Sequence, residues 1–189
     1  TLNTAAGSNA LTSNTTANRN SAFGRSSLNS NTTGEDNTAV GYYALVSNTT
    51  ASDNTAVGSY ALKDNTTGTN LTAVGYHALE ENTTANGNTA VGYEALTANT
   101  TGANNVSVGD RALDENTTGD NNVAIGQHAL GAITTGSYCT AVGQGALYND
   151  TADNNTAVGN HCLLSNTTGT TNTAVGAYAL DANTTASSN

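Results

Sequence analysis

The chain has no proline, methionine or tryptophan, and phenylalanine occurs once. Large apolar side chains are too few for an ordinary globular core, which is filled by such residues at close-packed density. Positive charge is also scarce. Arg19, Arg25, Lys63 and Arg111 stand against fourteen acidic residues, a formal net charge of −10. Binding to a nucleic-acid backbone needs clustered lysine and arginine, so nucleic acid is not an expected partner. No apolar run approaches the roughly 20 residues of a membrane-spanning helix, and membrane insertion is not expected. No signal peptide is visible, so export is inferred only from other features. The chain opens without Met and stops at Asn189. It reads as a window on a longer protein or as a processed form.

What the chain has in abundance is Asn, Thr, Gly and Ser, a composition that ordinarily leaves a polypeptide disordered. Here it is written as one sentence of seventeen residues, repeated eleven times. Asn37–Asp53 reads NTAVGYYALVSNTTASD, and coils open at residues 3, 20, 37, 54, 71, 88, 105, 122, 139, 155 and 172. A short fixed period marks a solenoid, whose stacked turns share a core that no single turn could form. The repeat is a single domain over residues 3–188, with 1–2 and 189 belonging to partial neighbouring coils.

Aligning the copies separates fixed columns from free ones. The Gly41 column and the Leu45 column never vary. An invariant Leu predicts a stacked core residue, and an invariant Gly predicts a corner of unusual backbone conformation or close approach. The Ala44 column admits only Ala, Ser27 or Cys162, so a crowded site is expected there. The strand is read from its variants: Thr38-Ala39-Val40, Val106-Ser107-Val108 and Val123-Ala124-Ile125. Alternation puts Thr38, Val106 and Val123 on one face with Val40, Val108 and Ile125. Their apolar character predicts that this face is the interior and that Ala39, Ser107 and Ala124 point outward.

With the Ala-Leu pair and the Asn-Thr-Thr stretch, each coil holds three short segments and three corners. The fold class is all-β: a parallel β-solenoid, of β-roll or β-helix type, with eleven coils of about seventeen residues. No 3.6-residue apolar stripe persists, which argues against helix. At about 4.8 Å per coil the stack spans roughly 50 Å. The copy over residues 139–154 is one residue short, and the gap is expected near Tyr148-Asn149. So thin a core favours trimerisation or lateral packing.

Asn122-Val123-Ala124-Ile125-Gly126 resembles the head repeat of trimeric autotransporter adhesins. The repeat is also similar to those of phage and bacterial fibre proteins reading NTAVGxxAL…NTTG, over Asn3 to Ser188. The resemblance implies a left-handed parallel β-roll, association of three chains, and an adhesive rod outside the cell. The adhesin head coil is shorter than the present one.

Candidate sites follow from the columns. Asn-x-Ser/Thr sequons number thirteen, ten of them recurring: Asn14, Asn31, Asn48, Asn65, Asn82, Asn99, Asn116, Asn149, Asn166 and Asn183. Asn70, Asn105 and Asn154 are the others. The recurring set reads either as a row of glycan acceptors or as a ladder of side-chain amides bonded from coil to coil. Ile133, standing once in that column, is tolerated by a ladder and lost to a glycan.

Tyr42, Tyr43, Tyr60, Tyr76, Tyr93 and Tyr178 gather after the glycine corner. They form either a surface contact, such as a stacking site for sugars, or a ladder that stabilises neighbouring coils. His77, His128 and His161 share that neighbourhood, but intervals of two or three coils are too wide for one metal ion. The Thr49, Thr66 and Thr83 rank raises ice binding, yet the two threonines of each copy are adjacent and point to opposite faces. Cys139 and Cys162 occupy different columns, and no disulfide is expected. No catalytic constellation recurs, and no cofactor is implied.

The function expected from these readings is a structural or adhesive module of an extracellular fibre: adhesin head or stalk, phage tail fibre or self-assembling filament. Its partners would be further copies of itself and surface glycans. The alternative is a monomeric ice-binding or glycan-binding solenoid.

Overall fold

In the computed structural model, residues 2–189 are described, and the chain forms a parallel β-solenoid with about seventeen residues per turn. Each coil contributes one three-residue strand: β1 (Thr4–Ala6), β2 (Ser21–Phe23), β3 (Thr38–Val40), β4 (Thr55–Val57), β5 (Thr72–Val74), β6 (Thr89–Val91), β7 (Val106–Val108), β8 (Val123–Ile125), β9 (Thr140–Val142), β10 (Thr156–Val158) and β11 (Thr173–Val175). They lie side by side in chain order as one eleven-stranded sheet. Thr38 pairs with Thr55, Ala39 with Ala56 and Val40 with Val57, and this register holds from coil to coil. Equivalent residues therefore stack in columns along the axis.

The strand is turned the other way from the sequence expectation. Ala39 and Ala124 are fully buried, whereas Val40 is 38% and Ile125 40% exposed. The Thr-Val face looks outward and the small residue between looks in. The reason is the width of the coil. Ser107 Oγ donates across the interior to the carbonyl of Ala112, 2.6 Å away. Cys162 Sγ lies 3.3 Å from the carbonyl oxygen of Ala174. The Ala39 and Ala44 columns thus face each other nearly in contact, and nothing larger than Ala, Ser or Cys fits between them. The crowding expected at the Ala44 column is present.

The second and third segments are not strands. After the glycine, two consecutive turns follow: Ala44 N–H donates to Gly41 O at 3.5 Å, and Asn48 N–H to Leu45 O at 3.2 Å. These turns need left-handed backbone at non-glycine residues. Tyr43 has φ 58°, Leu45 51° and Asp53 62°, and most other coils keep the same three places. Such a residue costs about 1–2 kcal/mol. Leu45, Leu62, Leu79 and the other central leucines are fully buried. Burial of a leucine, about 1.5–3 kcal/mol, offsets that strain.

The Gly41 column answers to two constraints together. Gly41 has φ +140°, and a Cβ there would lie 2.4 Å from the carbonyl oxygen of Gly58 in the next coil. The coils stack too closely at this corner for any side chain.

Candidate functional site

Two columns of asparagine run inside the stack and hold it together. In one, Asn48 Nδ2 donates to Asn31 Oδ1 at 2.9 Å, Asn65 Nδ2 to Asn48 Oδ1 at 3.2 Å, and Asn82 Nδ2 to Asn65 Oδ1 at 3.0 Å. The line continues through Asn99 and Asn116. In the other, Asn20 Oδ1 accepts the backbone N–H of Asn37 at 2.9 Å, and Asn37 Oδ1 that of Asn54 at 3.0 Å. The columns meet at a shared acceptor: Ala51 O takes Asn37 Nδ2 at 2.8 Å and Asn48 Nδ2 at 3.0 Å. Buried amides are tolerated because nearly every donor and acceptor is matched.

This geometry places the recurring sequons. Asn31, Asn48, Asn65, Asn82, Asn99, Asn116 and Asn166 are fully buried. Asn14 and Asn183 are half-buried at the two ends. Their Nδ2 atoms, the atoms a glycan would use, donate to the carbonyls of Ala17 and Ala186. Asn149 corrects the expected register. It is exposed, its Nδ2 donating to Leu164 O at 2.9 Å, and Asp150 stands in the column instead. Leu147 precedes Asp150 by three residues, as Leu45 precedes Asn48. The missing residue is therefore the second threonine, between Thr151 and Ala152, and not a residue near Tyr148. Asn105 is buried in the other column, while Asn70 and Asn154 are exposed.

Leu71 replaces one asparagine of the second column, and the other exceptions gather around the short copy. Ile133 replaces the column asparagine in one coil, and Cys139 and Asp150 replace column members in the next. All three are fully buried. With Ile133 in place, Asn116 Oδ1 has no donor. Asp150 accepts from Asn166 Nδ2 at 2.8 Å, Asn155 Nδ2 at 3.1 Å and Ala152 N–H at 3.2 Å. Burial pushes its carboxyl up to about 6, against the pull of those donors. Burial likewise pushes the Cys139 thiol up to about 12, leaving it a neutral packing group. Cys139 and Cys162 are both free and buried.

The tyrosines divide into two groups. Tyr42, Tyr43, Tyr60, Tyr76 and Tyr93 form one continuous ridge, joined by His77, with successive centroids 3.9–6.3 Å apart. Arg25 lies 5.7 Å from the Tyr42 ring centre at one end, and Arg111 5.7 Å from Tyr93 at the other. The rings engage one another along the axis, which is the arrangement of a stabilising ladder. Tyr178 stands apart, beside His161 at 5.5 Å.

Sequence reading passed over Tyr148. It lines a cavity of about 180 Å³ with His128, Gln144, Gly145, His161 and Leu164, formed where Gly145 leaves its column without a side chain. Among the described residues no group of three or more His, Cys, Asp or Glu could hold a metal ion. Among the described residues no helix is long and apolar enough to cross a membrane.

The two threonine ranks differ in what their hydroxyls do. Thr32, Thr66, Thr83 and Thr100, in the Asn-Thr-Thr corner, each donate to the matching carbonyl of the next coil at 3.0–3.1 Å. Their neighbours Thr33, Thr67 and Thr101 are exposed. The strand threonines, Thr38, Thr55, Thr72 and Thr89, are half-buried and have no protein partner for their hydroxyls among the described residues. One buried residue separates them from exposed Val40 and Val74 and half-buried Val57 and Val91 on the outer face, a rank the interior assignment had hidden. No family model, no curated protein and no solved structure matches the chain.

Proposed function

We propose that the protein is a rod module of an extracellular fibre, structural or adhesive in role, that associates with further copies of itself. The observation that carries the reading is the construction of the stack. One unbroken parallel sheet runs through every coil, and two internal amide columns tie most of the coils together. Axial bonds of this kind resist bending and extension, which is what a stalk or filament requires. Electron microscopy and sedimentation velocity on the purified chain test it. Rods joined laterally or end to end are expected at micromolar concentration. Isolated particles about 50 Å long with no concentration dependence would defeat the assembly reading.

A second reading, contact with glycans, is favoured by the arginine-capped tyrosine ridge alone. Screening against immobilised glycans, with Tyr76→Ala as the comparison, tests it. Binding that survives the substitution would remove the ridge from consideration.

A further inference from the structure

The outer face of the sheet is the feature that the rod's construction does not use. Its two columns hold Thr or Ser with Val106 and Val123 on one side, and Val with Ala6, Phe23 and Ile125 on the other. None of the eighteen charged residues of the chain falls in either column. Nor does Asn, which is otherwise abundant in the repeat. Strand register carries both columns without slip across all eleven coils. Hydroxyls and methyls therefore recur about 4.8 Å apart along the axis, and about 6.6 Å apart across each strand.

A protein partner fits this face poorly. The strip measures about 50 Å by about 10 Å, roughly 500 Å², below the roughly 800 Å² per partner of a stable interface. Mating two copies there would desolvate a rank of unpaired hydroxyls, which costs unless each finds a new partner. Ordered water satisfies the hydroxyls and leaves the methyls in contact. A charged column would bind its own hydration shell and break such order, and charge is what the face excludes.

We propose that the Thr-Val face of the sheet binds the surface of crystalline ice, its repeated hydroxyls and methyls holding a matching layer of ordered water. Thr50 and its column, in the Asn-Thr-Thr corner and outside the sheet, take no part. The activity belongs to the single rod and does not depend on assembly into a fibre.

The test is thermal hysteresis and inhibition of ice recrystallisation by the whole chain at micromolar concentration. Val74→Lys and Thr72→Lys place a charge at the middle of the face, at positions whose side chains already point outward. Each is expected to reduce both activities at least several-fold while the melting curve by circular dichroism stays unchanged. Thr67→Lys, on the exposed rank of the Asn-Thr-Thr corner, is expected to keep both activities. Absence of hysteresis and of recrystallisation inhibition in the unmodified chain overturns the proposal. So does equal loss in Thr67→Lys. If the unmodified chain associates in sedimentation and Val74→Lys releases single rods, the occupant of the face is a second copy, and the ice assignment is overturned.

Discussion

The stretch from Asn31 to Asn116 and the stretch from Ile133 to Asn155 are built from the same repeat and solve the same packing problem differently. In the first, each column amide donates to the one before it, and the interior is a continuous polar ladder flanked by leucine and alanine. In the second, the column holds an isoleucine and then a carboxylate, the coil is one residue short, and an amide oxygen at Asn116 is orphaned. The exceptions cluster because the columns are coupled. Once Ile133 stops the ladder, the next member has no amide oxygen to donate to, and a group that only accepts, Asp150, can occupy the place. The regular stretch shows the rule. The irregular one shows that backbone stacking survives its local loss.

The largest way to break the comparison is Leu113→Asp, at the end of the regular stretch. Leu113 is fully buried, and a carboxylate there is both unpaired and too polar for a core shared with neighbouring coils. A loss of about 5 kcal/mol is expected, read as a lowered denaturation midpoint with partial loss of circular-dichroism signal.

Asn82→Ala cuts the ladder where it is intact. It removes the donors to Asn65 Oδ1 and Ala85 O, and the acceptor for Asn99 Nδ2. About 2–3 kcal/mol is expected from the buried groups left unmatched. Asn149→Ala, outside the column, should cost far less in the same denaturant titration.

Asp150→Asn sharpens the contrast from the other side. The folded state holds this carboxyl near 6, above its ordinary 3.8. The folded state therefore binds the proton more tightly than the unfolded chain. Its contribution to stability is fully present below pH 3.8 and is lost as pH rises through about 6. Stability should fall on the order of 1–3 kcal/mol across that window for this group. The asparagine variant should lack that component and be the more stable protein at pH 7, by about 1 kcal/mol or more. Thermal melts of both proteins at pH 4 and pH 7 check this. An unchanged difference between the two pH values would place the carboxylate in water instead of in the column.

Smallest of all is Asp110→Ala. The side chain is exposed beside the glycine corner and makes only a 3.5 Å contact with Gln127. A change within about 0.5 kcal/mol is expected. A shift comparable to that of Leu113→Asp would show that the columns are assigned in the wrong register.

The period, the all-β class and the buried leucine column were legible in the sequence, because stacking places equivalent residues on top of one another. Each column is then a list of what one environment accepts: only Leu, only Gly, only Ala, Ser or Cys. The internal ladder was half legible, since Ile133 in an asparagine column already pointed inward. What the sequence could not settle is which strand face is interior. Val106 and Val123 argued for one side, but the side is chosen by the distance between opposite walls. That distance follows from closing the coil through left-handed corners at Tyr43, Leu45 and Asp53, which no strand residue reports. A cross-section this narrow admits alanine and expels valine. The Thr-Val face, and with it the candidate ice-binding surface, became visible only in the tertiary structure. The same holds for the residue missing after Thr151, since both placements keep the later repeats in phase. Only the hydrogen bonds of Asp150 to Asn155 and Asn166 select one of them.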